Sequence, residues 1–235
     1  MSQWKPKRFW TAAHVVAEEG GFAIHLDSRR VKTPAKQRLI LPTEGLARLI
    51  TAEWDAQTGL VNPETMPVTR MANSAIDKVI PQYAEVAGLL AAYADTDHLC
   101  YRATAPPALI ARQAAAWDPL LDWAADALNA RLNATSGVVH IPQGPDALAR
   151  LHAQVLALGH FRMAAFHDLV ALSGSLVLAF ATAHGRLTPD QAWLTSRIDE
   201  AWQIEQWGKD EDAAAVAALK AQAFHQAARF FALCG

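Results

Sequence analysis

The segment Tyr93-Ala94-Asp95-Thr96-Asp97-His98-Leu99-Cys100-Tyr101-Arg102 gathers acids, a histidine, a thiol and an arginine at the end of a helical run. Carboxylate, imidazole and guanidinium groups at such close spacing are what general acid–base chemistry on a small molecule would use. A small-molecule enzyme or ligand-binding reading therefore rests on Asp95, Asp97, His98 and Arg102. The structural alternative is that Asp95 and Asp97 cap or end helices and that Arg102 pairs with one of them. His167-Asp168 is a second acid–histidine pair, but adjacent residues on a helix point about 100° apart. Other catalytic signatures are missing. The chain has no HExxH and no Cys/His cluster at zinc spacing. It has no GxxxxGK[ST] and no GxGxxG. Gly20-Gly21 leads into a strand pattern, not a helix N-terminus, so it forms no phosphate cradle. Gly174-Ser175 lies in an apolar helical run, not in a GxSxG elbow. The expectation is a protein that is not an enzyme, with no catalytic residue, cofactor or metal.

A different chemistry, recognition, is offered by Arg197-Ile198-Asp199-Glu200-Ala201-Trp202-Gln203-Ile204-Glu205-Gln206-Trp207-Gly208. On a helical wheel Leu194, Ile198, Ala201 and Trp202 form one apolar stripe with Glu205 inside it. Trp193, Ile204 and Trp207 form a second, with Glu200 inside it. Asp199, Gln203 and Gln206 make a narrow polar strip between them. An ordinary surface helix has one stripe. This one is expected either to be covered on most sides or to offer a face to a partner, with two carboxylates where burial is costly. Arg197 could neutralise Glu200, and Lys209 could neutralise Glu205. Read as a recognition helix, Trp202 or Trp207 anchors in a partner's pocket while Glu200 meets a partner arginine.

These groups need a scaffold. A chain of 235 residues with 52% hydrophobic content makes one large domain or two small ones with a sizeable core. Its net charge of −2 argues against nucleic acid and against anionic membrane as partners. Basic residues group only at Lys5, Lys7 and Arg8 and at Arg29, Arg30 and Lys32, which read as solvated faces. Cys100 and Cys234 stand far apart in sequence, so a reducing compartment fits. The apolar run Leu169 to Ala183 is shorter than the ~20 residues a spanning helix needs. The start carries no secretory or transit pattern, so a bacterial cytoplasmic protein is expected. Eight tryptophans supply large surfaces with a polar handle, useful in cores and at interfaces.

Strand patterns run over Phe9 to Val16 and Phe22 to Leu26, and continue at Val31 and at Leu39 to Leu41. Thr43 caps a helix from Glu44 to about Gln57. Beyond the proline-marked link Gly59 to Pro67, helices are predicted at Thr69 to Val79, Pro81 to Ala94, Leu109 to Trp117, Pro119 to Arg131, Asp146 to Leu158 and Phe161 to His184. Val138 to Ile141 is a short apolar piece that fits a strand. Ala171, Ser175, Ala179 and Ala183 form a smooth stripe for close helix packing. Thr188-Pro189-Asp190-Gln191 is a capping box whose helix runs into Arg197 to Gly208, and a last helix covers Asp210 to Leu233. The class is α+β: a β-rich N-terminal domain with one helix (1–67) packed on a larger C-terminal helical domain (68–235).

In order along the chain, several words resemble the assembly-chaperone family that binds the α subunit of the F1 sector of ATP synthase. They are Leu26-Asp27-Ser28-Arg29 with Lys32-Thr33-Pro34, Ala52-Glu53-Trp54-Asp55-Ala56-Gln57, and Asn62-Pro63-Glu64-Thr65-Met66-Pro67-Val68-Thr69-Arg70. Asp97 through Tyr101-Arg102, Gln113 through Trp117-Asp118-Pro119, Ser173-Gly174-Ser175 and Asp199 through Gly208 complete the set. Two positions depart from the family pattern. Ser28 replaces a glycine, and serine tolerates positive φ poorly, so that hairpin is expected to use a different turn. Ala201 stands where many members carry an acid, which moves the acidic role onto Asp199 and Glu200. The resemblance implies a chaperone that holds newly made F1 α, shields its β-facing surface and releases it when β competes, without ATP hydrolysis; a monomer is expected. It implies partner-binding roles for Asp199, Glu200, Trp202, Gln203 and Trp207.

Overall fold

The computed structural model describes residues 7–235, so Lys5 of the first basic group lies outside the described residues. The chain divides into two compact units. One holds residues up to Tyr83 together with 160–165 and 229–235; the other holds 84–159 and 166–228.

The first unit is built around a small antiparallel sheet. Strands β1 (Ala13–Glu18) and β2 (Gly21–Leu26) form a hairpin with Ala13 opposite Leu26 and Glu18 opposite Gly21. The short strands β3 (Arg29–Arg30) and β4 (Ile40–Leu41) both pair with β2, at its two ends. Alternation sends Ile24 and Leu26 into the core and leaves His14 and His25 on the other face. Gly21 is required: a Cβ there would lie 2.2 Å from the Leu41 carbonyl oxygen. In the turn after β2 Asp27, not Ser28, takes the left-handed conformation (φ 52°). Its carboxylate accepts the N–H groups of Thr11 and Ala12 at 3.0–3.1 Å. The backbone donors of Ala12 and Thr11 hold the Asp27 carboxyl below its usual range. A depressed acid contributes stability above its unfolded value and loses it as pH falls through the folded one. Asp27→Asn is therefore expected to flatten the acid side of the stability curve, below about pH 4, read as Tm against pH. An unchanged acid limb would contradict this.

Helix α1 (Glu44–Asp55) lays Leu46, Ala47 and Ile50 into the core, and Thr43 caps it by accepting from Leu46 N–H at 3.3 Å. Glu53 then caps the next helix, α2 (Pro67–Ser74). Its two oxygens accept the N–H groups of Val68 and Thr69 at 2.7 Å and the Thr69 hydroxyl at 2.6 Å. The helix predicted over 69–79 thus starts two residues earlier and closes in a wider π-turn, Ala75–Val79.

The second unit is helical. It runs through α3 (Tyr83–Ala91), which begins at the unit boundary, two 3-10 turns (Ala92–Thr96 and His98–Cys100) and strand β5 (Tyr101–Arg102). Then come α4 (Pro107–Ala127), strand β6 (Thr135–Ser136, parallel to β5) and α5 (Pro145–Leu156). After these stand α6 (His160–Ser173), whose residues 160–165 count with the first unit, α7 (Leu176–Ala183), α8 (Pro189–Ser196), α9 (Ile198–Trp207) and α10 (Glu211–Leu233), which counts with the first unit from Arg229 onward. Three sequence expectations are corrected. The helices predicted to meet at Asp118-Pro119 are one, α4, because buried Trp117, Leu120, Leu121 and Ala124 hold its inner face on both sides of the proline. The helix predicted over 161–184 is two. Gly174 (φ 70°) ends α6, and Ser175 opens α7 by accepting from Leu178 N–H at 3.0 Å. The small-residue stripe is therefore split between two helices. Val138 to Ile141 is not a strand: β6 lies just before it, and Val138 and Val139 are exposed. Among the described residues no helix is long and apolar enough to cross a membrane.

Candidate partner-binding surface

The capping box at Thr188 is present, with both Thr188 and Gln191 bonds made. It starts α8, which buries Trp193 against Phe224 at a ring separation of 5.8 Å. The chain bends at Arg197, Ile198 re-enters the core and α9 runs out to Gly208 (φ 89°).

The root of α9 is fastened to α4 by polar contacts. Gln113, itself buried, donates to Asp199 Oδ1 at 2.6 Å and accepts Ala103 N–H at 2.8 Å. Arg112 forks onto both oxygens of Glu205 at 2.8 and 2.9 Å, and its guanidinium lies 5.1 Å from the centre of the Trp202 ring. The hydrogen bonds from Arg112 outweigh the effect of burial and hold Glu205 below its usual range. Glu200 pairs with Arg197 at 2.7 Å, one turn back, and its Oε2 is closed off without a partner. Lys209 pairs with Glu211, not with Glu205 as predicted.

From Ala201 onward most of α9 faces solvent. Trp207 is 79% exposed, Ile204 48%, and Gln203 is exposed too. The helix is not covered on most sides. The structure thus brings Asp199 and Glu200 into bonds within their own unit, half-buries Trp202 beneath Arg112, and leaves Gln203 and Trp207 free. Exposed Leu194 on α8 and Val216 and Leu219 on α10 belong to the same unit. A groove of about 380 Å³ is lined there by Arg197, Asp212, Ala213, Val216, Ala217 and Lys220. Sequence reasoning missed the α10 residues, whose only signal was a valine and a leucine three apart in an alanine-rich run.

Asp95, Asp97, His98 and Arg102 are bound into the scaffold. Asp97 is fully enclosed: its oxygens accept Leu99 N–H and Val177 N–H, each at 3.0 Å. Arg102 donates to the Leu99 carbonyl at 2.8 Å and pairs with Asp118 at 2.8 Å, not with Asp95 or Asp97 as predicted. Asp95 accepts Gln143 N–H at 3.2 Å and lies 3.5 Å from His140. His98 stands edge-on to Trp117 at 5.0 Å. Burial pushes the Cys100 thiol up to about 12, so it stays protonated and unreactive. His167 and Asp168 do meet, at 3.0 Å, despite their adjacent positions. No group of three or more metal-ligating side chains occurs among the described residues.

Residues 7–125 match the family model of the ATP12 chaperone protein. Over 221 residues the chain is 26% identical to the mitochondrial protein atp12 of Schizosaccharomyces pombe, covering 88% of this chain and 75% of that one. Among solved structures it resembles Atp12 from Paracoccus denitrificans (49% identity, TM-score 0.95), over 99% of this chain and 100% of that one. It also resembles a chaperone candidate from Agrobacterium tumefaciens (42% identity, TM-score 0.90), over 96% and 85% of the two chains.

Proposed function

The chain belongs to the ATP12 chaperone family, the ATP synthase assembly chaperones its sequence resembles, and from that membership we propose that it holds newly made F1 α subunit. In this reading it covers the β-facing surface of α until β takes its place, as a monomer in the bacterial cytoplasm. The observation that carries the proposal is Trp207, a large apolar side chain left 79% exposed on a helix held to α4 at its root by Gln113–Asp199 and near its end by Arg112–Glu205. A rigid root with a bare aromatic tip is the arrangement of an interaction anchor, because little order is lost when the tip is buried. Asp199, Glu200, Trp202 and Gln203 form the rest of the contact. Release needs no nucleotide. It requires only that β bind the same surface of α more tightly.

The test is direct. The purified chain should suppress aggregation of isolated F1 α, and adding β should free it; no protection at equimolar ratio would overturn the reading. Glu200→Lys refines the test. It replaces the 2.7 Å pair with two cations one turn apart, which costs the fold only about 0.5–1 kcal/mol. The variant is expected to bind α more weakly while its circular-dichroism melt shifts by a few degrees at most. If it simply unfolds, Glu200 serves the fold and not the partner.

A further inference from the structure

The outer face of the N-terminal sheet concentrates positive charge. His14 lies opposite His25, and His25 opposite Arg30, so the three side chains share one face. Glu18, four residues along β1 from His14, points the same way. Its carboxylate sits between Arg30 (2.6 Å) and Arg38 (3.0 Å), with His25 at 3.2 Å. Lys32 bridges Arg38 across the backbone and so stands beside it. Residues 29–38 hold Arg29, Arg30, Lys32, Lys36 and Arg38 and no acid. The nearby Asp77 carboxylate is occupied by the Thr33 hydroxyl at 2.6 Å and Ala35 N–H at 3.0 Å. Lys32 and Lys36 are exposed and make no ion pair among the described residues.

One carboxylate therefore meets two guanidinium groups, and Lys32 and Lys36 of the same loop form no ion pair among the described residues. We propose that this sheet face docks an acidic peptide segment of a partner polypeptide, whose carboxylates meet Lys32, Lys36 and the open sides of Arg30 and Arg38. Glu18 already displays the chemistry, a carboxylate shared by two guanidinium groups. A short acidic segment suits the patch better than a nucleic acid. The positive residues are confined to one small sheet, too short a track for the many successive phosphates a nucleic acid needs neutralised.

The experiment uses the full chain and a fluorescein-labelled peptide of alternating glutamate and serine, followed by anisotropy at low ionic strength. A single-stranded oligonucleotide of equal charge serves as competitor. Binding that fades with added salt, and that weakens about tenfold in Lys32→Glu with Lys36→Glu at an unchanged melt, supports the assignment. Lys32→Gln with Lys36→Gln provides the same comparison, with a smaller loss, should the charge reversal disturb folding. No binding by the acidic peptide, equal binding to both double variants and wild type, or tighter binding of the oligonucleotide would each overturn it. None of these outcomes depends on whether the chain binds F1 α.

Discussion

Asp97→Ala is expected to destabilise the helical unit by about 3 kcal/mol, because it strands the buried N–H groups of Leu99 and Val177 at about 1–3 kcal/mol each. Removing a fully enclosed carboxylate returns part of that loss. The first donor lies in the turn 98–100 and the second at the start of α7. One side chain therefore joins two segments eighty residues apart in sequence. For a chain of this length the Tm should fall by about 6–12 °C. Asp97→Asn keeps the shape but turns an amide N–H2 toward one of the two donors, so its loss falls below that of alanine. Dependence on pH separates both variants from wild type. Burial raises the Asp97 pKa above its ordinary value against the pull of Val177 N–H, the Ser175 hydroxyl and Leu99 N–H. A raised acid favours the fold when protonated, and that contribution is lost as pH rises from the unfolded value, about 3.9, through the folded one. Wild type should show this decline in urea melts, and Asp97→Asn should lack it. An alanine variant within about 0.5 kcal/mol of wild type would show that Asp97 does not hold these segments together.

The signals that could be read in sequence were local. Thr43 before Glu44, the box at Thr188–Gln191 and the alternation in Phe22 to Leu26 each work through neighbours a few residues away, and each stands in the structure. The α+β class followed from them. Gly174-Ser175 misled because its apolar flanks carry a helical period straight across it. The glycine's left-handed turn and the serine's capping bond interrupt the backbone without interrupting that period. Pro119 misled in the opposite direction, since burial of Trp117 and Leu120 carried one helix through what reads locally as a helix start. At the candidate surface the Arg197–Glu200 pair was legible as an i,i+3 contact. The clamp from Arg112 to Glu205 was not, because its partners are 93 residues apart and only the packing of α4 on α9 brings them together.

Trp207→Ala is expected to weaken binding of F1 α by about 2–4 kcal/mol, roughly thirty- to a thousand-fold in Kd, the range of an aromatic anchor at the centre of an interface. The same change should leave the thermal melt within about 0.5 kcal/mol of wild type, because a side chain 79% exposed buries little surface in the free protein. Trp193 supplies the contrast: it is 9% exposed and packs on Phe224, so Trp193→Ala should lower the melt by about 3 kcal/mol before binding can be judged. Arg112→Ala tests a different step. It frees Glu205 and uncovers Trp202, so α9 loses its clamp while Trp207 stays in place. Affinity should then fall through lost preorganisation, with a slower association rate as well as faster release. Calorimetry and stopped-flow mixing with purified α would separate the three. Should Trp207→Ala bind α as wild type does, the tip of α9 is not the anchor, and the exposed leucines and valine of α8 and α10 become the surface to probe.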